Sequence, residues 1–167
     1  IVTPADFTKA CNWIVKSNKD KHLEWHYLQS RPIELDMRFP KRIDCSGTFT
    51  FVYRMLGLKD PNGFGYSGIG NTEILIQKGK QISMDKVTPG DAIIFCPDDD
   101  ITKQHVSMAV EAGKKDPMCL SMGCEGDPSW AKPSQDGRPF KAYTFDKTTV
   151  IWPPYDFSSF NPPVQLC

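Results

Sequence analysis

Neither sign of charge dominates this chain: 20 Lys and Arg are balanced by 20 Asp and Glu, well mixed over 167 residues. No basic stripe marks it for nucleic acid or for an anionic lipid surface, and a small or electrically neutral partner is expected. Any apolar run of about 18 residues is also missing, and the first residues carry neither a basic segment nor a continuous apolar one. The expectation is a chain with no membrane span and no signal peptide. Cysteine is sparse and scattered, at Cys11, Cys45, Cys96, Cys119, Cys124 and Cys167. A chain of this length buries a core without covalent staples, so these thiols do not read as a disulfide framework, and synthesis in a reducing compartment is expected. Cys119 and Cys124 have no nearby histidine and make a poor zinc pair. Asp98-Asp99-Asp100 lacks the Gly and Glu spacing of calcium loops. No metal and no organic cofactor is expected.

What is present fits one domain over residues 1–167, with a core over 1–152 and a Pro-rich tail or linker over 153–167. The chain begins at Ile1 rather than Met, which suggests a processed product or an excised domain. Thr3-Pro4 with Asp6 starts a helix whose apolar stripe is Phe7, Ala10, Cys11, Ile14 and Val15, and which dissolves in the polar run from Lys16 to Lys21. Trp25-His26-Tyr27, Arg31-Pro32 and Phe39-Pro40 read as an irregular approach. Asn71 caps a short helix over 72–78 that Gly79 ends. Thr88-Pro89-Gly90-Asp91 is a turn, and Ala92-Ile93-Ile94-Phe95 reads as a buried strand. From His105 the residues alternate, with Val106, Met108 and Val110 on one face and His105, Ser107 and Ala109 on the other. Residues 118–123 should return antiparallel and bring Ser121, Met122 or Gly123 beside His105. The stretch 124–139 reads as loop, and 142–145 and 149–152 as closing strands.

The chemistry concentrates at Ile43-Asp44-Cys45-Ser46-Gly47-Thr48-Phe49. Asp44 is an N-cap residue type, and Phe49, Val52, Tyr53 and Leu56 recur at helical spacing before Gly57. Cys45 then sits in the first turn, where unpaired N–H groups and the helix dipole favour a thiolate and face any carbonyl the sulfur attacks. His105 is the one histidine after it in the chain. A cysteine at a helix start, a Pro-Gly-Asp turn, a buried strand and then a histidine opening the next strand is the order in which papain-like hydrolases supply nucleophile and base. His22 and His26 lie in the polar approach, where surface roles are the default, although His26 is placed to line a cleft. Tyr27 and Tyr53 are further cleft candidates, with a core role more natural for Tyr53.

Asp44-Cys45-Ser46-Gly47, Pro89-Gly90-Asp91-Ala92-Ile93-Ile94-Phe95 and His105-Val106-Ser107-Met108-Ala109-Val110 resemble, in order and spacing, the three signature blocks of NlpC/P60 cysteine peptidases. The chain is most similar to the N-terminal peptidase domains of actinobacteriophage, especially mycobacteriophage, endolysins. Trp25-His26-Tyr27, Arg31-Pro32, Gly70-Asn71-Thr72 and Ser121-Met122-Gly123-Cys124-Glu125-Gly126-Asp127-Pro128 carry that closer likeness, which spans about residues 24–130. In the last block Met122 stands where such relatives often have histidine.

The resemblance implies an α+β, papain-like fold, with the nucleophile helix packed on a small antiparallel sheet. It implies a cysteine peptidase or amidase that cleaves an amide of the peptidoglycan stem peptide, as an endopeptidase rather than an N-acetylmuramoyl-L-alanine amidase. Cys45 is the implied nucleophile and His105 the base. Glu125 is the best substitute by chemistry for the group that orients the imidazole, since a carboxylate fixes its tautomer and methionine does not. Trp25, Tyr27, Asp44 and Ser46 are the implied substrate-binding residues. Further implications are synthesis in the host cytoplasm, action at the bacterial cell wall during phage lysis, other endolysin domains in the full-length chain, and a monomer. The rival readings are a catalytically idle wall-binding module of the same fold and an acyltransferase of the same superfamily.

Overall fold

The computed structural model describes residues 1–19 and 23–157. His22, Cys167 and the proline-rich end beyond residue 157 lie outside the described residues. Helix α1 (Pro4–Lys19) starts as its sequence requires, with the Asp6 carboxylate accepting the Thr3 backbone N–H at 2.8 Å. It buries Phe7, Ala10, Cys11 and Ile14 along one stripe. Within the described residues the first part of the polar run, Lys16 to Lys19, is still helical, and Ser17 in it is buried, its hydroxyl donating to the Ile14 carbonyl and accepting the Trp25 indole N–H.

The approach to Cys45 is more regular than its prolines suggest. Strand β1 (Trp25–Tyr27) pairs in parallel with β2 (Lys41–Ile43), in the register Trp25 with Lys41 and Tyr27 with Ile43. The intervening loop, which contains cis Arg31–Pro32 and cis Phe39–Pro40 bonds, is tied down from inside. The buried Lys41 ammonium donates to the carbonyls of Glu34 and Asp36 and lies 4.8 Å from the Phe51 ring centroid. Burial lowers its pKa to about 8.

Helix α2 (Cys45–Met55) runs through the centre of the molecule, and each of its residues except Arg54 is buried. Asp44 caps it by accepting the Gly47 N–H at 2.9 Å. Gly57 ends it with φ of 72°, at a position where a Cβ would come within 2.0 Å of the Trp152 carbonyl oxygen. Helix α3 (Thr72–Lys78) follows a glycine-rich loop, capped by Asn71 and ended at Gly79 as its sequence indicates.

A six-stranded antiparallel sheet supports these helices. It consists of β3 (Lys80–Ile82), β4 (Ala92–Phe95), β5 (His105–Ala109), β6 (Cys119–Met122), β7 (Pro128–Ala131) and β8 (Phe140–Thr144), in the spatial order β3-β8-β4-β5-β6-β7. The fold is therefore α+β. One sheet face, with Ile94, Val106, Met108, Leu120, Met122 and Tyr143, joins the main core beneath the helices. The other carries a smaller cluster of Val87, Ile93, Phe95, Ala109, Cys119 and Ala142.

Three sequence expectations change. Part of 124–139 is strand, because Pro128 to Ala131 gains a ladder from the edge of β6, and its proline stands at the first position, which a strand tolerates. Residues 149–152 form no strand; Val150 makes one bridge to Leu58. The chain read as a tail from 153 packs on α2 at its start: Tyr155 N–H donates to the Met55 carbonyl, and the Arg54 guanidinium lies between the rings of Trp152 and Tyr155. No helix among the described residues is long and apolar enough to cross a membrane.

Candidate active site

Cys45 opens α2 with its side chain almost wholly enclosed, the residue being 8% exposed. The Thr72 hydroxyl lies 3.9 Å from its sulfur. Among the described residues no hydrogen bond joins the sulfur to the imidazole in this resting arrangement.

The helix-mouth argument anticipates an acidic thiol, and the structure corrects it. Burial raises the Cys45 pKa and is its largest influence, while the Val106 N–H, the Thr72 hydroxyl and the Ser46 N–H act in the opposite sense. Burial also lowers the His105 pKa to about 4, assisted by the Arg138 charge and opposed by Asp136 and Glu125. Both shifts favour the neutral thiol and the neutral imidazole over a preformed thiolate–imidazolium pair.

His105 is fixed on two sides. Its ring stacks on Phe95, with centroids 5.7 Å apart and planes 26° from parallel. Its Nε2 lies 2.9 Å from the Ser121 hydroxyl and 3.4 Å from that of Ser107. The register pairs Ser107 with Ser121. Ser121 is therefore a diagonal neighbour of His105 on the outer face, and Met122, one residue on, points to the core with 1% exposure. Methionine does not occupy the orienting position at all.

Glu125 does not occupy it either. The residue is exposed in the turn after β6, its carboxylate folded against Gly123, and no hydrogen bond joins it to His105 among the described residues. The orienting place on Nε2 holds a hydroxyl. The sequence signal that points to Ser121 is its parity: the even numbers of this strand are core, so its odd numbers share the face of His105.

Cys45, His105, Tyr27 and Glu125 all line one cleft of about 420 Å³, together with Phe95, Ser121 and Arg138 among others. The Tyr27 hydroxyl accepts from the Gln29 amide at 2.8 Å. Burial is the largest of the influences that raise the Tyr27 pKa.

Three implied substrate-binding residues are corrected. Trp25 is 2% exposed and packs edge-on against Phe39 and Phe51, so it is core. Asp44 and Ser46, which flank Cys45, are buried. Asp44 caps α2 and pairs with Arg31 at 2.9 Å, and the Ser46 hydroxyl links Asp44 to Arg31. They hold the helix start rigid without facing the cleft. His26 is exposed, 3.4 Å from Glu24, and is not in the cleft wall, and Tyr53 is core with its hydroxyl donating to the Gly90 carbonyl.

Cys119 is buried, its thiol directed to the Pro117 carbonyl and raised by burial to about 12, while Cys124 is exposed. Among the described residues no group of three or more His, Cys, Asp or Glu side chains is arranged to hold a metal ion. In the acidic loop Asp98 pairs with Lys141, and Asp100 caps the following turn through Thr102. No protein-family model and no curated protein matches this chain.

Proposed function

We propose that this chain is a papain-like cysteine hydrolase of the NlpC/P60 type that cleaves an amide bond in the stem peptide of bacterial peptidoglycan. The observation that carries the reading is the convergence on one cleft of Cys45, at a helix N-terminus, and His105, whose Nε2 is held by Ser121. The three sequence blocks that resemble this family contribute the nucleophile, the supporting strand and the base. As in the sequence reading, the enzyme is an endopeptidase rather than an N-acetylmuramoyl-L-alanine amidase, from a phage endolysin, and acts at the cell wall after synthesis in the host cytoplasm.

From a neutral pair the reaction begins with general base catalysis. His105 takes the thiol proton as the Cys45 sulfur bonds to the amide carbon, and the carbonyl oxygen becomes an oxyanion. The N–H of Cys45 and a neighbouring donor stabilise that oxyanion. His105 then protonates the leaving nitrogen, the C–N bond breaks, and a thioester remains. Water, deprotonated by His105, attacks the thioester; the C–S bond breaks and the thiol regains its proton. Ser121 keeps the ring in one orientation through all of these transfers.

A catalytically idle wall-binding module is the second reading, favoured by the enclosure of the Cys45 thiol. An acyltransferase needs a lipid-sized apolar pocket, whereas this cleft carries Lys103, Arg138, Glu125 and Asp136 in its walls. Purified peptidoglycan incubated with the protein and followed by mass spectrometry tests the proposal. New free amines that are absent with Cys45→Ser support it. Binding without new amines supports the idle module and overturns hydrolysis.

A further inference from the structure

We propose that Glu73 and Gln104 are positioning residues: their hydrogen bond ties the start of α3, whose Thr72 touches the Cys45 sulfur, to the strand end that carries His105. This inference rests on the hydrolase reading and deepens it, since it names a polar link that holds nucleophile and base in place relative to each other.

The two ends of the link come from chain neighbours. Thr72 and Glu73 are the first two residues of α3, where successive side chains diverge by about 100° around the helix axis. Thr72 is buried with its hydroxyl 3.9 Å from the Cys45 sulfur, and the Glu73 carboxylate accepts the Gln104 amide N–H at 2.6 Å. Gln104 stands directly before His105 and its backbone is extended, with φ of −77° and ψ of 144°. Successive side chains of an extended chain point to opposite faces. Gln104 therefore shares the face of Val106, on which the helices pack, while the His105 ring stands on the other with Phe95.

Gln104 commits its whole donor capacity to this arrangement. Its Nε2 faces the Glu73 carboxylate, the Asp99 carbonyl at 3.0 Å and the Pro97 carbonyl at 3.4 Å. All three are acceptors, so the nitrogen and not the oxygen of the amide is on that side. The bond to Glu73 is the shortest of the three and the one assisted by charge. Oε1 is buried without a hydrogen-bond partner among the described residues, an unfavourable placement that the bonds of Nε2 offset.

Helix α3 has seven residues, too few to hold its own start in place, so it depends on tertiary anchors. Asn71 caps its backbone, and Glu73 fixes it against the strand end. Glu73 is not among the described residues that line the cleft, so its effect on the reaction passes through Thr72 and Gln104 and not through the substrate.

The test separates reach from charge at position 73. Glu73→Asp keeps the charge at the helix start and withdraws the carboxylate by one methylene, whereas Glu73→Gln keeps the reach and removes the charge. Helix starts accept both side chains, so folding is not at issue. On a synthetic stem peptide Glu73→Asp should lower kcat roughly 10- to 100-fold, the effect of a displacement of about 1 Å between reacting groups, with KM within about threefold of wild type. Glu73→Gln should retain most of the activity. A side chain that only stabilised the fold would lower the urea midpoint without this split between kcat and KM. A second readout needs no turnover: iodoacetamide labelling of Cys45, mapped beside Cys124 as internal standard, should be about threefold faster or more in Glu73→Asp, because the Thr72 hydroxyl is drawn off the sulfur. Unchanged Cys45 labelling, or unchanged kcat where the wild type cleaves, overturns the link. Faster Cys45 labelling in Glu73→Asp with no cleavage by the wild type leaves the link standing and instead overturns the hydrolase reading.

Discussion

Ser121 Oγ and His105 Nε2 lie 2.9 Å apart, diagonally across the β5–β6 pair, on the sheet face opposite to the one that buries Met122. On the proposed reading, in which His105 is the base, a neutral hydroxyl and not a carboxylate stands at the position that orients it. A hydroxyl fixes the ring but contributes little charge to stabilise an imidazolium. Burial, with the Arg138 charge, depresses the His105 pKa.

Ser121→Ala should therefore lower turnover of a stem-peptide substrate by about 5- to 10-fold, the effect of one neutral hydrogen bond, with KM little changed. Glu125→Gln should change kcat by about threefold or less, because its carboxylate reaches His105 only as a distant charge. Steady-state kinetics on both variants decides the matter. A loss of 10²-fold or more in Glu125→Gln alone would return the orienting role to the carboxylate.

The pH dependence of stability follows from His105. Its folded pKa of about 4 lies below the ordinary 6.5, so the unfolded chain binds the proton more tightly than the folded one. The stability contributed is fully present above about pH 6.5 and is lost as pH falls from there through about 4. Urea denaturation of wild type and His105→Gln across that window should show a steeper decline in the wild type. Parallel curves would place the proton uptake elsewhere. The acid limb of kcat/KM should have its midpoint near the folded value of about 4 and not near 6.5.

Alkylation should follow exposure. Cys124 is exposed, whereas Cys45 is enclosed with a raised pKa, so iodoacetamide near neutral pH should label Cys124 first and Cys45 later. Peptide mapping over a time course checks the order. Labelling of Cys45 ahead of Cys124 would mean that the free protein opens the helix start to solvent and forms the thiolate.

Asp44→Ala should destabilise the fold by about 1–3 kcal/mol, because it removes the α2 cap and leaves Arg31 and the Ser46 hydroxyl without their shared acceptor. Asp44→Asn retains an oxygen for the Gly47 N–H and should recover part of that loss. Chemical denaturation measures both, and equal losses would assign the role of Asp44 to the ion pair rather than to the cap.

Local patterning alone was sufficient for much of this protein. The helix starts at Pro4, Cys45 and Thr72, the strand over 92–95 and the alternation from His105 all depend on capping and on period, which neighbouring residues settle among themselves. Residue identity likewise singled out Cys45 and His105, which the fold then brings to one cleft. Long-range placement decided the rest. Trp25 resembles a cleft aromatic until Phe39 and Phe51 enclose it, and Pro128 to Ala131 is a strand only because the edge of β6 is available to it. The protonation that Cys45 and His105 favour was also a tertiary decision. A helix N-terminus favours a thiolate, but desolvation by the surrounding core acts in the opposite sense and is the larger effect, and it arises from residues that no local window contains. The choice of Ser121 over Met122 and Glu125 followed from register, since a shift of one residue exchanges the two faces of a strand and only the pairing with β5 fixed which face met the imidazole.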